Sequence, residues 1–214
     1  MSLALYPPAA TVASDIIRIW QTRVGHQTCE MFLQTTISQV ASGLAYMHSK
    51  NIMHRDIKPD NLAYVTLDPV YIIIIDLGSS ERKSLSTDHY RGTVRYLAPE
   101  VMSVKNKTST ESFSFPVDLW SVGITLLEFL LRVRRNTNFG DVSLRARLAE
   151  LLDERPGQEF PSLWNLARRL LEWDASKRPT AAEVVEYLPP RELPPNPPLK
   201  SSQDGPSKRQ KIEE

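Results

Sequence analysis

The spacing of hydrophobic positions changes several times along the chain, and each change marks an element. Leu33, Ile37, Val40, Leu44 and Met47 recur at alternating intervals of four and three, which places them on one face of a helix predicted over 28–49. Tyr71 to Ile75 is a continuous apolar, isoleucine-rich run bounded by Pro69 and by Asp76-Leu77-Gly78, and it reads as a short buried strand ending in a turn. Residues 79–91 are polar and without period, as a loop is. Asp118 to Leu131 is apolar nearly all round, which implies a helix buried in the middle of a domain. Further helices are predicted over 142–153, 162–172 and 180–188, the last opening on the capping-box pattern Thr180-Ala-Ala-Glu183. Towards the start, Ser14 to Val24 reads as one short helix with Ser14 or Asp15 as N-cap, after an apolar entry broken by Pro7 and Pro8.

Composition adds boundaries to this picture. The 214 residues carry a formal net charge of +1, far from the basic excess of a nucleic-acid or membrane-surface binder. The single cysteine, Cys29, excludes an internal disulfide framework and suits a reducing compartment. No apolar run has membrane-spanning length, and Met1 to Ala10 lacks the basic and apolar regions of a secretory signal. These features together describe a soluble, intracellular, cytoplasmic chain with no nucleic-acid or membrane partner. Seven of the 16 prolines fall between Pro189 and Pro206, so 189–214 reads as a proline-rich, polar, disordered tail after a domain over 1–188. In that tail Lys208, Arg209 and Lys211 have two readings, a nuclear-localisation signal or a solvated basic cluster.

The chemistry concentrates in His54-Arg-Asp-Ile-Lys-Pro-Asp-Asn61. It is followed by Asp76-Leu-Gly78, Ala98-Pro-Glu100, Asp118-Leu-Trp-Ser-Val-Gly123 and Lys177-Arg-Pro-Thr180. Five such segments in this order resemble the C-terminal, catalytic lobe of eukaryotic protein kinases of the serine/threonine type, over roughly residues 1 to 188. The resemblance implies a mainly α fold with a small β element at the catalytic loop. It also implies Mg2+-ATP as cofactor, a protein substrate with a Ser or Thr acceptor, and an upstream kinase acting on the loop after Gly78.

Phosphoryl transfer depends on positioning and charge neutralisation more than on covalent chemistry, and the residue types suit that task. Asp56 supplies a carboxylate to orient the attacking hydroxyl and accept its proton. Lys58 places a cation beside the transferring phosphoryl group, with Pro59 restricting its backbone. Asn61 and Asp76 offer the oxygen ligands that a hard cation prefers. Asp56 and Lys58 are therefore the candidate catalytic pair, Lys58, Asn61 and Asp76 the candidate nucleotide contacts, and Asn61 and Asp76 the metal ligands. His54 is read as structural, packed under the Asp76-Leu-Gly segment, where Leu77 replaces the usual phenylalanine and is expected to keep that packing. Arg55 is a fixed cation suited to a loop phosphate, with Ser79, Ser80, Ser84, Ser86 and Thr87 as candidate acceptors.

Other positions carry structural roles in the resemblance. Thr93 is expected to contact Asp56 and Lys58, as in serine/threonine kinases. Glu100 and Arg178 are expected to form a buried ion pair, and Asp118 to bond the backbone of the His54-Arg-Asp turn. Trp120, Trp164 and Trp173 are expected in the core. No G-x-G-x-x-G occurs among the eight glycines, and Ala4 to Ala10 resembles the segment that links the two kinase lobes. The sequence is thus expected to begin near the second lobe, with the β-rich N-terminal lobe absent. Two readings of activity stand beside each other: a truncated catalytic lobe, or a catalytically impaired, pseudokinase-like binding module or fragment of a longer kinase gene.

Overall fold

The helix carried by Leu33, Ile37, Val40 and Leu44 runs from His26 to Ser49 (α1), and those four side chains are buried. This computed structural model describes residues 11–12, 26–67, 69–131, 144–153 and 160–188. The short helix from Ser14, the segment Ala4 to Ala10 and the tail 189–214 lie outside the described residues.

The His54–Asn61 segment ends in a short 3-10 turn, Pro59–Asn61, and two antiparallel strands follow, β2 (Leu62–Leu67) and β3 (Val70–Ile74). Thr11–Val12 (β1) pairs with Tyr64 and Ala63 on the other edge, completing a three-stranded sheet in the order β1-β2-β3. The register sets Leu62 opposite Ile74, with a bulge between Tyr64 and Thr66. The strand predicted at 71–75 is therefore present. β2 was not predicted, because Leu62 to Leu67 mixes apolar and polar residues too briefly to show a period.

Four further helices complete the described fold after α2, which spans Pro99–Lys105: α3, Pro116–Leu131; α4, Leu144–Asp153; α5, Pro161–Leu170; and α6, Ala181–Tyr187. The short α2, opened by Pro99, carries the Ala98-Pro-Glu100 motif and was not predicted as a helix. Its seven residues are too few for a helical period to declare itself.

The all-round apolar character of α3 has a direct cause: the helix runs between two hydrophobic clusters. Leu119, Val122, Leu126 and Phe129 pack with α1, α5 and α6. Val117, Trp120, Ile124 and Leu127 pack on the other side with Tyr96, Leu97, Val101, Val104 and Trp164. At Gly123 the α5 backbone comes so close that an added Cβ would lie 2.9 Å from Leu170 Cβ, so only glycine fits this crossing. The capping box of α6 forms as predicted, with Thr180 Oγ1 accepting from the Glu183 N–H and Glu183 accepting from the Thr180 N–H.

The structure is mainly α with a small sheet, as the sequence implied. One core assignment is corrected. Trp120 and Trp164 are buried, but Trp173 is 41% exposed and meets Trp120 edge-on at 5.9 Å between ring centroids. It lies just beyond α5 in a turn, where one face of the ring stays in solvent.

Candidate active site

The loop between α1 and β2 is held from beneath by Asp118, which is fully buried in the first turn of α3. Asp118 Oδ2 accepts from the His54 N–H at 2.9 Å, and Oδ1 accepts from the Arg55 N–H at 2.7 Å. His48 Nε2 lies 2.9 Å from Oδ2, at the end of α1. Arg55 has φ of 68°, a left-handed conformation that non-glycine residues adopt uncommonly and at a cost. The Asp118 carboxylate supplies the constraint that holds it, accepting from two consecutive amides, as the resemblance implied.

The turn brings Asp56, Lys58, Asn61 and Thr93 together. Lys58 Nζ donates to Asp56 Oδ2 at 2.8 Å and to Thr93 Oγ1 at 2.7 Å. Thr93 donates to Asp56 Oδ1 from both its backbone N–H and its hydroxyl, each at 2.8 Å. Asn61 Nδ2 donates to the Asp56 main-chain oxygen at 2.8 Å and to Oδ2 at 3.0 Å. Burial pushes the Asp56 carboxyl upward, but the hydrogen bonds from Lys58 and Thr93 outweigh it and leave the pKa below the ordinary 3.8. Asp56 is consequently an ionised acceptor of fixed orientation at neutral pH. Thr93 reaches it because Gly92, at φ of 90°, lets the chain run against the Arg55 carbonyl.

Asp76 is delivered to the same end of the sheet by strand register. The Ile75 N–H donates to the Asn61 main-chain oxygen at 2.9 Å, so the end of β3 is hooked onto the turn that carries Asn61. Asp76 itself is exposed, has φ of 62°, and accepts from the Gly78 N–H at 3.0 Å. The two hydrogen bonds from Asn61 Nδ2 leave its Oδ1 as the acceptor available to a cation. Among the described residues no group of three or more His, Cys, Asp or Glu side chains could hold a metal by itself. A magnesium ion is commonly held by one or two protein oxygens together with nucleotide phosphates, and Asn61 and Asp76 fit that pattern.

His54 is fully buried, and burial lowers its pKa below 6.5 against the opposing pull of Asp118 and the Ile75 carbonyl. Its Nδ1 accepts from the Asp56 N–H at 3.3 Å, while Nε2 is buried with no hydrogen bond. A neutral ring in this position supports the loop. The expected packing of Leu77 over it is not seen: Leu77 is 58% exposed and projects into solvent after the turn at Asp76. Of the loop hydroxyls, Ser84 and Thr87 are exposed, Ser79 and Ser80 are half-buried, and Ser86 is buried.

Two tertiary ties hold the segment that follows Thr93. Arg178 donates from Nη1 and Nη2 to Glu100 at 2.7 and 2.9 Å, and its guanidinium stacks 5.0 Å above the Trp120 ring. The pair is present as expected, with the arginine side chain fully buried and the glutamate partly open. The second tie was missed in the sequence. Arg95 Nε forms an ion pair with Glu128 Oε1 at 2.6 Å, and the Tyr96 hydroxyl lies 3.0 and 3.1 Å from the two Glu128 oxygens. Ser121 Oγ donates to the Tyr96 carbonyl at 2.8 Å. Burial raises the Glu128 pKa, and Arg95 opposes that rise. The available signal was Glu128, an acidic residue within the apolar run that follows Asp118.

Comparison with known proteins gives one family. The model for the protein kinase domain matches residues 14–188. The serine/threonine-protein kinase BCK1/SLK1/SSP31 of Saccharomyces cerevisiae is 34% identical over 169 residues, covering 74% of this chain and 11% of that protein. An Aurora kinase of Debaryomyces hansenii is 34% identical over 155 residues, covering 71% of this chain and 36% of that protein. The human 3-phosphoinositide-dependent protein kinase 1 is 27% identical over 168 residues, covering 76% of this chain and 28% of that protein. The chain thus spans between 11 and 36% of the length of these curated relatives.

Proposed function

Because the chain belongs to the protein kinase family, we propose that its Asp56 centre transfers the terminal phosphoryl group of ATP to a Ser or Thr hydroxyl of a protein substrate. The observation that carries this reading is the fixation of both Asp56 oxygens by Lys58, Asn61 and Thr93 while the carboxyl stays ionised. The tie from Thr93 to Asp56 and Lys58 supports the serine/threonine class, as do the named relatives.

In this reading Asp56 orients the substrate hydroxyl and accepts its proton as the oxygen attacks phosphorus. Lys58 shifts from Asp56 and Thr93 towards the phosphoryl oxygens and offsets the charge that develops there. Asn61 Oδ1 and Asp76 would hold Mg2+, which would supply neutralisation of the nucleotide's phosphate charge. Candidate catalytic residues are therefore Asp56 and Lys58, and candidate cofactor ligands Lys58, Asn61 and Asp76.

We further propose that these 214 residues transfer phosphate only weakly on their own, since no glycine-rich phosphate loop occurs among them. The binding-module reading rests on that same feature. A radiolabelled phosphoryl-transfer assay of the chain, with Asp56→Asn as control, tests both. The expected result is weak Mg2+-ATP binding and slow transfer that Asp56→Asn abolishes. Robust Asp56-dependent transfer would overturn the weak-transfer reading, and no binding of Mg2+-ATP at all would overturn the enzyme reading in favour of the binding module.

A further inference from the structure

The Arg55 guanidinium, which the sequence marks as a receptor for phosphate, is already enclosed by the loop it would receive. Nε donates to the Ser79 carbonyl at 2.8 Å, and Nη1 donates to Glu81 Oε2 at 2.9 Å and to the Asp88 carbonyl at 3.1 Å. Nη2 donates to Asp88 Oδ2 at 3.2 Å, and Ser86 Oγ lies 3.4 Å from Nη1. Ser86 in turn donates to Glu81 Oε2 and accepts from the Asp88 N–H. The guanidinium is buried, so anionic partners are a condition of its keeping its place. Glu81 and Asp88 carry together two negative charges, about what one phosphate monoester carries at neutral pH.

The backbone follows the same arrangement. Met53 and Glu81 exchange two hydrogen bonds at 2.9 Å, and Ser86 and Phe113 exchange two at 2.9 and 2.8 Å. The loop is thereby pinned at Glu81 and at Ser86, two residues before Asp88, and Thr93 closes on Asp56. The charged groups facing the pair are Arg55, Lys83 on Glu81 at 2.9 Å, and Arg91 3.9 Å from Asp88. The anion site of Arg55 is thus filled by side chains of the chain itself.

We propose that Glu81 and Asp88 are positioning residues: their carboxylates on Arg55 hold residues 79–93 in the site-forming arrangement without a phosphate on the loop. The consequence for catalysis rests on the phosphoryl-transfer reading above, but the arrangement itself does not. It predicts a loop that is ordered in the unphosphorylated chain and indifferent to loop phosphorylation.

Amide hydrogen exchange on the phosphatase-treated full chain tests it, followed at Glu81, Ser86, Asp88 and Thr93. In the wild type these amides are expected to exchange at least tenfold more slowly than an unstructured peptide. Glu81→Gln combined with Asp88→Asn is expected to remove that protection, while amides of α1 and α3 are unchanged. Asp88→Glu, which keeps the charge, is expected to stay within about threefold of wild type, and the isosteric Asp88→Asn alone is expected to exceed tenfold. If the double variant loses protection in α1 and α3 as well, the comparison of Asp88→Asn with Asp88→Glu decides. An unprotected loop in the unphosphorylated wild type, a tenfold gain of protection on phosphorylation, or equal exchange in the Asn and Glu variants would overturn the proposal. Exchange requires no turnover, so an inactive chain in the transfer assay leaves this result standing, and a disordered loop leaves the transfer reading standing.

Discussion

Asp118 and Arg55 lie far apart in the chain, yet the carboxylate of one fixes the backbone of the other at 2.7 Å. That bond holds a left-handed arginine directly before Asp56. Asp118→Asn keeps the shape but exchanges one acceptor oxygen for an amide donor, which then faces the N–H of His54 or Arg55. A buried donor without a partner, together with a lost charge-assisted bond, is expected to cost about 3 kcal/mol. The midpoint of urea denaturation should fall accordingly, with transfer activity lost in the same variant.

Gly92→Ala tests the approach of the Thr93 segment to the turn that carries Asp56. The new Cβ would lie 2.5 Å from the Arg55 carbonyl oxygen, at a φ of 90° that an L residue rarely adopts. Strain and displacement together are expected to cost more than about 2 kcal/mol, either in global stability or by release of this loop. Hydrogen exchange at the Thr93 amide distinguishes the two outcomes from a tolerated substitution, in which exchange and thermal midpoint would both match the wild type.

Glu100→Ala leaves the Arg178 guanidinium buried against Trp120 with only carbonyl oxygens for partners. Removing one side of such a pair is expected to destabilise by about 3 kcal/mol, at the lower end of the buried range because Glu100 is partly open. Calorimetry should show a fall in thermal midpoint of roughly 6–12 °C for a domain of this size. A change within about 1 °C would show that the pair adds nothing to stability.

His54 gives the fold a pH dependence with a definite sign. Burial sets its folded pKa below the ordinary 6.5, so the unfolded chain takes up a proton that the folded chain refuses. The contribution is complete above pH 6.5 and is lost as pH falls from there towards the lower folded value. The slope approaches about 1.4 kcal/mol per pH unit within that window. Denaturant melts of the wild type and of His54→Phe at successive pH values isolate it. The variant should lack this part of the slope, and parallel curves would contradict the assignment.

The long helices were legible because helical periodicity is a property of residues close in the chain. Leu33, Ile37, Val40 and Leu44 display it whatever they pack against. The apolar run of α3 announced burial on all sides for a similar reason, and the two clusters that flank it account for it. The strand β2 and the short helix α2 escaped, since six or seven residues are too few for a period to separate from chance. Trp173 and Leu77 were placed by residue type alone, and both meet solvent because the turns that carry them direct them outward.

By itself the sequence determined the long helical segments and the residue types of the His54–Asn61 turn, for these follow from local preference and from short motifs read in order. Tertiary structure decided which charges meet: Asp118 beneath Arg55, Arg95 on Glu128, and Glu81 with Asp88 around the guanidinium. Ion pairs and hydrogen bonds depend on separation through space, and only closure of the intervening loops and packing around α3 bring those groups within about 3 Å. Arg55 thus stands in the sequence beside Asp56, and only the folded chain brings the Glu81 and Asp88 carboxylates onto its guanidinium.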